Sequence, residues 1–459
     1  MGEGAIVGKR TQRRRRLTRR AFLQSAGAAT AAAAAGSVLA AFAGGTPAAA
    51  AAVPKPRAGA RIRLLQWNSF VRAADNELRR QAKEFGDANG LVVEIETVSG
   101  DQLQPRTVAA VAAGDGPDII QMQYGWPHLY TSSTVNVDNE VAYLMQRLGK
   151  VHPVNEAYCK VGGHWRAIPY TQVPNAWSYR TDLFQKAGVT SFPKTWDELI
   201  VAGKKVADAT GKPIAQTVGH AYGDSLTMWN PVLWGFGGQE VDKDGKTVVI
   251  NSSETEAALR WAIRAQQNGI KWFPEWLDPD NNQAYHADRI SATLNGPSIY
   301  IREVIEFKHF DQVTNNAPMP SGPKGSFTLN LIMNHAVMSW SKEQETAKAF
   351  LLSLMEKGNY SKWLKAARGY NHGPFEGLYD DPVWHYDLKL RAYRNVVIDS
   401  QGRPIGEWPG WPAAPSKQTS QSQTQFVVAD MFAKAVATGD TKAAMNDAEA
   451  KLKAIFGAP

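Results

Sequence analysis

Ile62-Arg63-Leu64-Leu65-Gln66-Trp67, Leu91-Val92-Val93-Glu94-Ile95-Glu96-Thr97-Val98 and Asp118-Ile119-Ile120-Gln121-Met122 are three apolar, β-branched-rich runs that decide the fold class. Between the first two, Leu78, Ala82 and Phe85 recur at helical spacing, with Arg79, Arg80, Lys83 and Glu84 on the wet face and Asn89-Gly90 as a stop. Between the second and third, a helix from about Leu103 to Ala113 stops at Gly114-Asp115-Gly116-Pro117. Strand–helix–strand–helix–strand at this spacing is a βαβαβ unit. It predicts an α/β fold with a mainly parallel sheet flanked by helices.

Ligands of such sheets sit at the carboxyl ends of the strands. Here those ends read Trp67-Asn68-Ser69, Ser99-Gly100-Asp101 and Gln123-Tyr124-Gly125-Trp126. No GxGxxG and no GxxxxGKS follows the first strand, so no phosphate fingerprint is present. Aromatic rings and neutral amides suit a polyhydroxylated, uncharged solute.

Further along the chain, α/β material returns. A helix starts at Thr195, just after Pro193, and a Trp-rich helix covers Met228 to Phe236. A third helix runs from Glu254 to Asn268, and a strand at Ile290–Leu294 leads into Asn295-Gly296. The last third reads as mostly helical. A chain of 459 residues exceeds what one core usually serves, so two domains of roughly 200 residues are expected.

The formal charge of +8 is a property of the N-terminus. Lys9, Arg10, Arg13 to Arg16, Arg19 and Arg20 against Glu3 give residues 1–52 a net +7, leaving +1 for the rest. A body so nearly neutral offers nucleic acid no electrostatic footprint. Residues 1–52 have the three parts of an export signal: a basic segment, an Ala-rich stretch and small residues at Ala48–Ala52. Thr18-Arg19-Arg20-Ala21-Phe22-Leu23 resembles a twin-arginine signal, which implies export of an already folded, cleaved protein to the periplasm. No cysteine follows the apolar stretch, so a lipid anchor is not expected. The single Cys159 excludes an intrachain disulfide.

The motifs Gly114-Asp115-Gly116-Pro117-Asp118-Ile119, Arg166-Ala167-Ile168-Pro169-Tyr170, Trp177-Ser178-Tyr179-Arg180-Thr181-Asp182 and Phe192-Pro193-Lys194-Thr195-Trp196-Asp197-Glu198-Leu199 occur in order. Together they resemble the family 1 extracellular solute-binding proteins of ABC importers, the maltose-binding-protein type. The resemblance implies a two-lobed periplasmic-binding-protein fold closing by hinge motion on a ligand in the interlobe cleft. It implies an N-terminal lobe of residues 60–171 and 295–338 and a C-terminal lobe of 172–294 and 339–459. It also implies delivery of solute to a membrane permease by a monomer. No cofactor, metal or catalytic residue is expected.

The candidate ligand-binding residues of the first lobe are Trp67, Asn68, Asp101, Gln123, Tyr124, Trp126 and Tyr170. Trp67 reads equally as a stacking platform or as core, and Asp101 equally as ligand contact or helix N-cap. In the second half the candidates are Trp229, Asn230, Trp234, Asn295, Gly296, Tyr370, Asn371 and Trp411. At about 3.6 residues per turn Trp229 and Trp234 point apart, so one of them is expected in the core. Gly296 would let backbone approach the ligand.

Two other readings stay open. An exported carbohydrate hydrolase would need two facing carboxylates; Asp278, Asp280, Asp380 and Asp381 read as turn residues beside proline. Histidines such as His152, His220 and His372 are scattered without metal-ligand spacing. A receptor for polyamine or another non-sugar solute would need several carboxylates at the strand ends, where only Asp101 is found.

Overall fold

The computed structural model describes residues 53–457. The expected signal segment, with Arg19 and Arg20, lies outside them. Among the described residues no helix is long and apolar enough to cross a membrane.

The three apolar runs form β1 (Arg61–Trp67), β2 (Val92–Val98) and β3 (Ile119–Gln123), and both intervening helices are present, at Arg72–Asn89 and Gly100–Ala113. β1 pairs in parallel with β2 on one side and β3 on the other. Gly90 and Gly114 close the two helices in the left-handed conformation, at φ 63° each, where a side chain would be strained. A short hairpin, β4 (Lys160–Val161) with β5 (His164–Trp165), precedes β6 (Ile168–Val173). After β6 the chain leaves this sheet through Pro174-Asn175.

It enters the second lobe as β7 (Ala176–Arg180). There β7 is flanked antiparallel by β10 (Ala292–Asn295) and β11 (Thr314–Ala317). β8 (Ala215–Thr217) pairs in parallel with β9 (Lys271–Phe273), and a parallel bridge from Ile214 to Ala292 joins that pair to β10. The chain then returns as β12 (Leu331–Val337), which inserts between β3 and β6 and runs against both. In each sheet the strand that opposes its neighbours is the one that arrives from the other lobe.

Pairing places two stretches differently from the sequence expectation. The first sheet is rejoined at Leu331, not at Asn295: Ala292–Asn295 pairs with Ala176–Tyr179, and Thr314–Ala317 covers the other edge of the same strand. The helices Gln344–Met355 and Lys357–Ala367 pack on helix Arg72–Asn89, so residues 339–367 complete the first lobe. The last helices, Val427–Thr438 and Thr441–Phe456, lie against Asp224–Phe236 and Ser253–Gln267 of the second, and residues 388–394 pack on its β11.

The two crossings are tied together. Asn330 Oδ1 accepts from the Asn175 amide (3.2 Å), and its Nδ2 donates to the Val396 carbonyl (2.9 Å).

Candidate ligand cleft

β1 ends in Trp67, and the chain turns through Asn68-Ser69-Phe70 into helix Arg72–Asn89. The indole lies against the start of the next helix so closely that a Cβ at Gly100 would sit 2.6 Å from its Cζ2. Phe70 meets the indole edge-on, with centroids 6.1 Å apart, and lies 6.3 Å from the Tyr370 ring. From the second lobe, Gly223 faces the same indole; a Cβ there would be 3.6 Å from Trp67 Cη2. Trp67 is therefore shared by both lobes.

Between the lobes lies a cleft of about 340 Å³. The first lobe lines it with Trp67, Asn68, Phe70, Asp75 and Asp101, and the second with His220, Leu277, Asp278, Arg302 and Glu306. It continues inward past Trp67 and Asp75 to a recess of about 20 Å³ lined by Gln66, Tyr170, Tyr370 and Asn371. On the second lobe, helix Asp224–Phe236 is buried along its whole length. Across the cleft, Tyr124 donates its hydroxyl proton to the Tyr222 carbonyl (3.0 Å).

The carboxylates here are unusual. Asp75 accepts from the Ser69 amide, and Asp278 Oδ1 accepts from the amides of Gly223 and Asp224. Burial raises each from an ordinary 3.8 to about 6, against the opposing pull of those hydrogen bonds. Asp224 is also pushed well above its usual value, by burial first and then by the charge of Asp278. The Tyr370 phenol is also held well above its usual range, by burial and then by the charges of Asp224, Asp278 and Asp75.

Several buried polar atoms on the facing elements lack protein partners: Gln66 Oε1, both amide atoms of Gln123, Asp224 Oδ2, Ser225 Oγ, Asn230 Oδ1 and Asn371 Oδ1. Such atoms also occur elsewhere in both lobes, among them Trp177 Nε1, Trp196 Nε1 and His286 Nε2; of those named, only Gln66 and Asn371 belong to residues lining the recess.

Of the expected residues, Trp67, Asn68 and Asp101 line the cleft, and Tyr170, Tyr370 and Asn371 line its recess. Ser99, not Asp101, holds the N-cap position of helix Gly100–Ala113. Gln123 is fully buried at the end of β3. Tyr124 joins the lobes, and Trp126 is buried edge-on to Tyr222 (5.7 Å).

Others are structural. Trp229 donates from Nε1 to the Thr217 carbonyl and packs on Trp272 and Phe432. Trp234 packs among Phe327 and Trp411. Both tryptophans are core, because helix Asp224–Phe236 has no wet side and helical spacing cannot separate an inner face from an outer one. Asn230 Nδ2 donates to its own helix at Leu226, and Asn295 bonds Asn281. Gly296 serves packing at the crossing rather than ligand approach: a Cβ there would lie 2.8 Å from Val173.

Asp75 and Asp224 escaped the sequence reading, and Asp278 reads there as a turn residue beside proline. Asp75 did carry a signal, since it precedes Leu78, Ala82 and Phe85 on the same helical stripe. A charged residue on an apolar stripe is a candidate for function.

Residues 80–392 match the family model described as bacterial extracellular solute-binding protein. A binding protein of Brucella abortus (strain 2308) is 20% identical over 372 residues, covering 80% of this chain and 86% of the relative. Among solved structures, the GacH receptor of Streptomyces glaucescens GLA.O, studied unliganded and with acarbose, superposes with a TM-score of 0.74 at 15% identity. That match covers 87% of this chain and 99% of the receptor. Maltose-bound MalE3 of T. maritima gives 0.72 at 20% identity, covering 86% and 100%.

Proposed function

Because the chain belongs to the bacterial extracellular solute-binding proteins, we propose that it captures a mono- or oligosaccharide in the cleft at Trp67 and delivers it unaltered to the permease of an ABC importer. The observation that carries this reading is the pairing of aromatic walls with amide and carboxylate side chains in the lining of the cleft and its recess. Rings cover the C–H faces of a sugar, and amides and carboxylates meet its hydroxyls. The two structures of like fold were solved with acarbose and with maltose.

Phe70, Trp67, Tyr370 and Tyr170 form the aromatic side; Asn68, Asp101, Gln123 and Asn371 supply polar contacts. Closure brings Gly223 and Asp278 onto the ligand held by the first lobe, and the closed form presents a docking surface that the open form lacks. The first lobe comprises residues 60–173 and 331–367, and the second takes 176–317 and the final helices. The protein works as a monomer in the periplasm, exported through the Arg19-Arg20 signal. Replacing both arginines by lysine should retain the protein in the cytoplasm.

Calorimetric titration of the mature protein with mono- and disaccharides tests the reading. Saturable binding with intact sugar recovered afterwards is the expected result. Glycoside turnover, or silence across the panel at millimolar concentration, would sink it.

A further inference from the structure

His220 lines the cleft from the second lobe, and its ring is clamped there. Phe426 stacks on the imidazole, with centroids 4.5 Å apart and planes at 7°. His220 Nε2 lies 2.7 Å from Asp430 Oδ1, and Lys451 donates to the other oxygen of that carboxylate (2.8 Å). A carboxylate only accepts, so Nε2 carries the ring proton. Lys451 gives Asp430 its counter-charge without a cationic ring. Against burial, the bonds from His220 and Lys451 hold the Asp430 carboxyl below its usual range. With Nε2 occupied, Nδ1 keeps a lone pair and has no protein partner among the described residues, on a side chain 59% exposed.

The backbone that carries the ring is constrained as well. A Cβ at Gly219 would stand 2.0 Å from the Pro274 carbonyl oxygen, so no side chain fits there. Two residues beyond His220, Tyr222 meets Phe426 edge-on (5.0 Å) and accepts from Tyr124 of the first lobe. Phe426 and Tyr124 are two of the five non-glycine residues with positive φ among those described, at 54° and 46°. Bulky residues are uncommon in that region and cluster where function needs a fixed geometry. An exposed histidine ordinarily samples several rotamers. This one has a fixed plane, a fixed tautomer and a free acceptor at the cleft wall.

Resting on the capture reading above, we propose that His220 is a specificity residue of the second lobe: its Nδ1 accepts a hydrogen bond from one hydroxyl of the solute, and Asp430 is the positioning residue that fixes the ring for it. A lone pair discriminates by what it rejects. A hydroxyl can turn its proton toward Nδ1. A fluorine or a deoxy carbon at the same position has no proton to give and leaves the acceptor unpaired.

Two measurements on the mature protein at pH 8 test this. In calorimetry, glucose, galactose and maltose are titrated first. The tightest of them is then compared with its monodeoxyfluoro derivatives on wild type and on His220→Phe, which keeps the stack on Phe426 and removes Nδ1. One derivative should lose at least tenfold in affinity on wild type and less than threefold on the variant, with the penalties at other positions unchanged. In nitrogen NMR of imidazole-labelled wild type, His220 should show the Nε2–H tautomer, and its Nδ1 signal should move on saturation with the same sugar. Asp430→Asn, which offers both a donor and an acceptor, should let both tautomers appear and shrink the penalty at that one position. Penalties alike on wild type and His220→Phe, or an Nδ1 signal that saturation leaves in place, would overturn the contact while leaving sugar capture standing. Binding of none of the three sugars would overturn the capture reading and this contact with it. The wild-type NMR decides the matter even where a variant folds poorly.

Discussion

Gly100 and Gly358 form a matched pair of helical glycines that isolates the role of Trp67. Each stands at the start of a helix, Gly100 of Gly100–Ala113 and Gly358 of Lys357–Ala367, and neither has a positive φ. Alanine at either position gains at most ~1 kcal/mol of helix propensity. Around Gly358 nothing lies within 4 Å, so Gly358→Ala should gain close to that amount. At Gly100 the new methyl would stand 2.6, 2.7 and 3.0 Å from three atoms of the Trp67 indole. Ordinary contact begins near 3.4 Å, so the ring must retreat by most of an ångström. An indole cannot flex, and Gly223 of the second lobe already stands against its Cη2. Overpacking of this kind costs about 1–3 kcal/mol, which equals or exceeds the helical gain. Chemical denaturation should therefore show Gly358→Ala stabilised and Gly100→Ala neutral to destabilised by up to ~2 kcal/mol. Ligand titration should show affinity unchanged in the first and weakened roughly 5- to 100-fold in the second, since ~1.4 kcal/mol is tenfold. If Gly100→Ala stabilises as Gly358→Ala does and binds as well as wild type, Trp67 is not the shared wall of the cleft.

Three further outcomes follow from the same geometry. Asp278, raised to about 6 in the folded protein from 3.8, takes up a proton on folding between those values. The stability of the closed form should thus fall as pH climbs from about 4 to 6, and Asp278→Asn should flatten part of that fall. Urea midpoints from pH 4 to 8 read it, and parallel profiles would contradict it. Tyr124→Phe deletes the bond to the Tyr222 carbonyl, worth about 1 kcal/mol. Affinity should drop several-fold with a larger radius of gyration in scattering; an unchanged dissociation constant would mean the bond contributes nothing to closure. Trp229→Phe removes the donor to Thr217 and should cost about 1–3 kcal/mol in denaturation, while calorimetry finds affinity within twofold. A selective loss of binding would return Trp229 to the site.

The fold was legible because its signals are local. Period-2 and period-3.6 runs gave the three opening strands and their helices. The motifs behind the family resemblance prove to be fold-bearing. Asp118 accepts from the Arg63 amide and from Ser341, Thr195 caps its helix, and buried Arg180 joins Asp182 to Asp288 over the Phe310 ring. Residues that hold the scaffold identify the scaffold, and they say little about cargo. Lobe boundaries were less legible, because β10 and β12 are both short apolar runs and only pairing decides which sheet each joins. The strand-end rule found Trp67, Asn68 and Asp101. It had no access to Asp278, which reaches the cleft from a proline-flanked turn, or to Asp224, whose amide donates to it from a fully buried helix. Asp278 reads as solvated loop until Gly223 and Asp224 are seen to donate to it.

The late arrival of β12 bears on how the chain can be made. Its seven residues, Leu331–Val337, are the centre of the first sheet's second half, the strip between β3 and β6. A ribosome-bound chain that ends at residue 330 has all the other strands of that sheet, yet β3 and β6 face a gap, each with an open row of amides and carbonyls. Nothing earlier in the sequence fills it. The first lobe to be synthesised is thus not the first that can be finished, and domain-by-domain folding from the N-terminus is closed to this topology. The nascent protein must shield two raw sheet edges through the synthesis of nearly the whole second lobe.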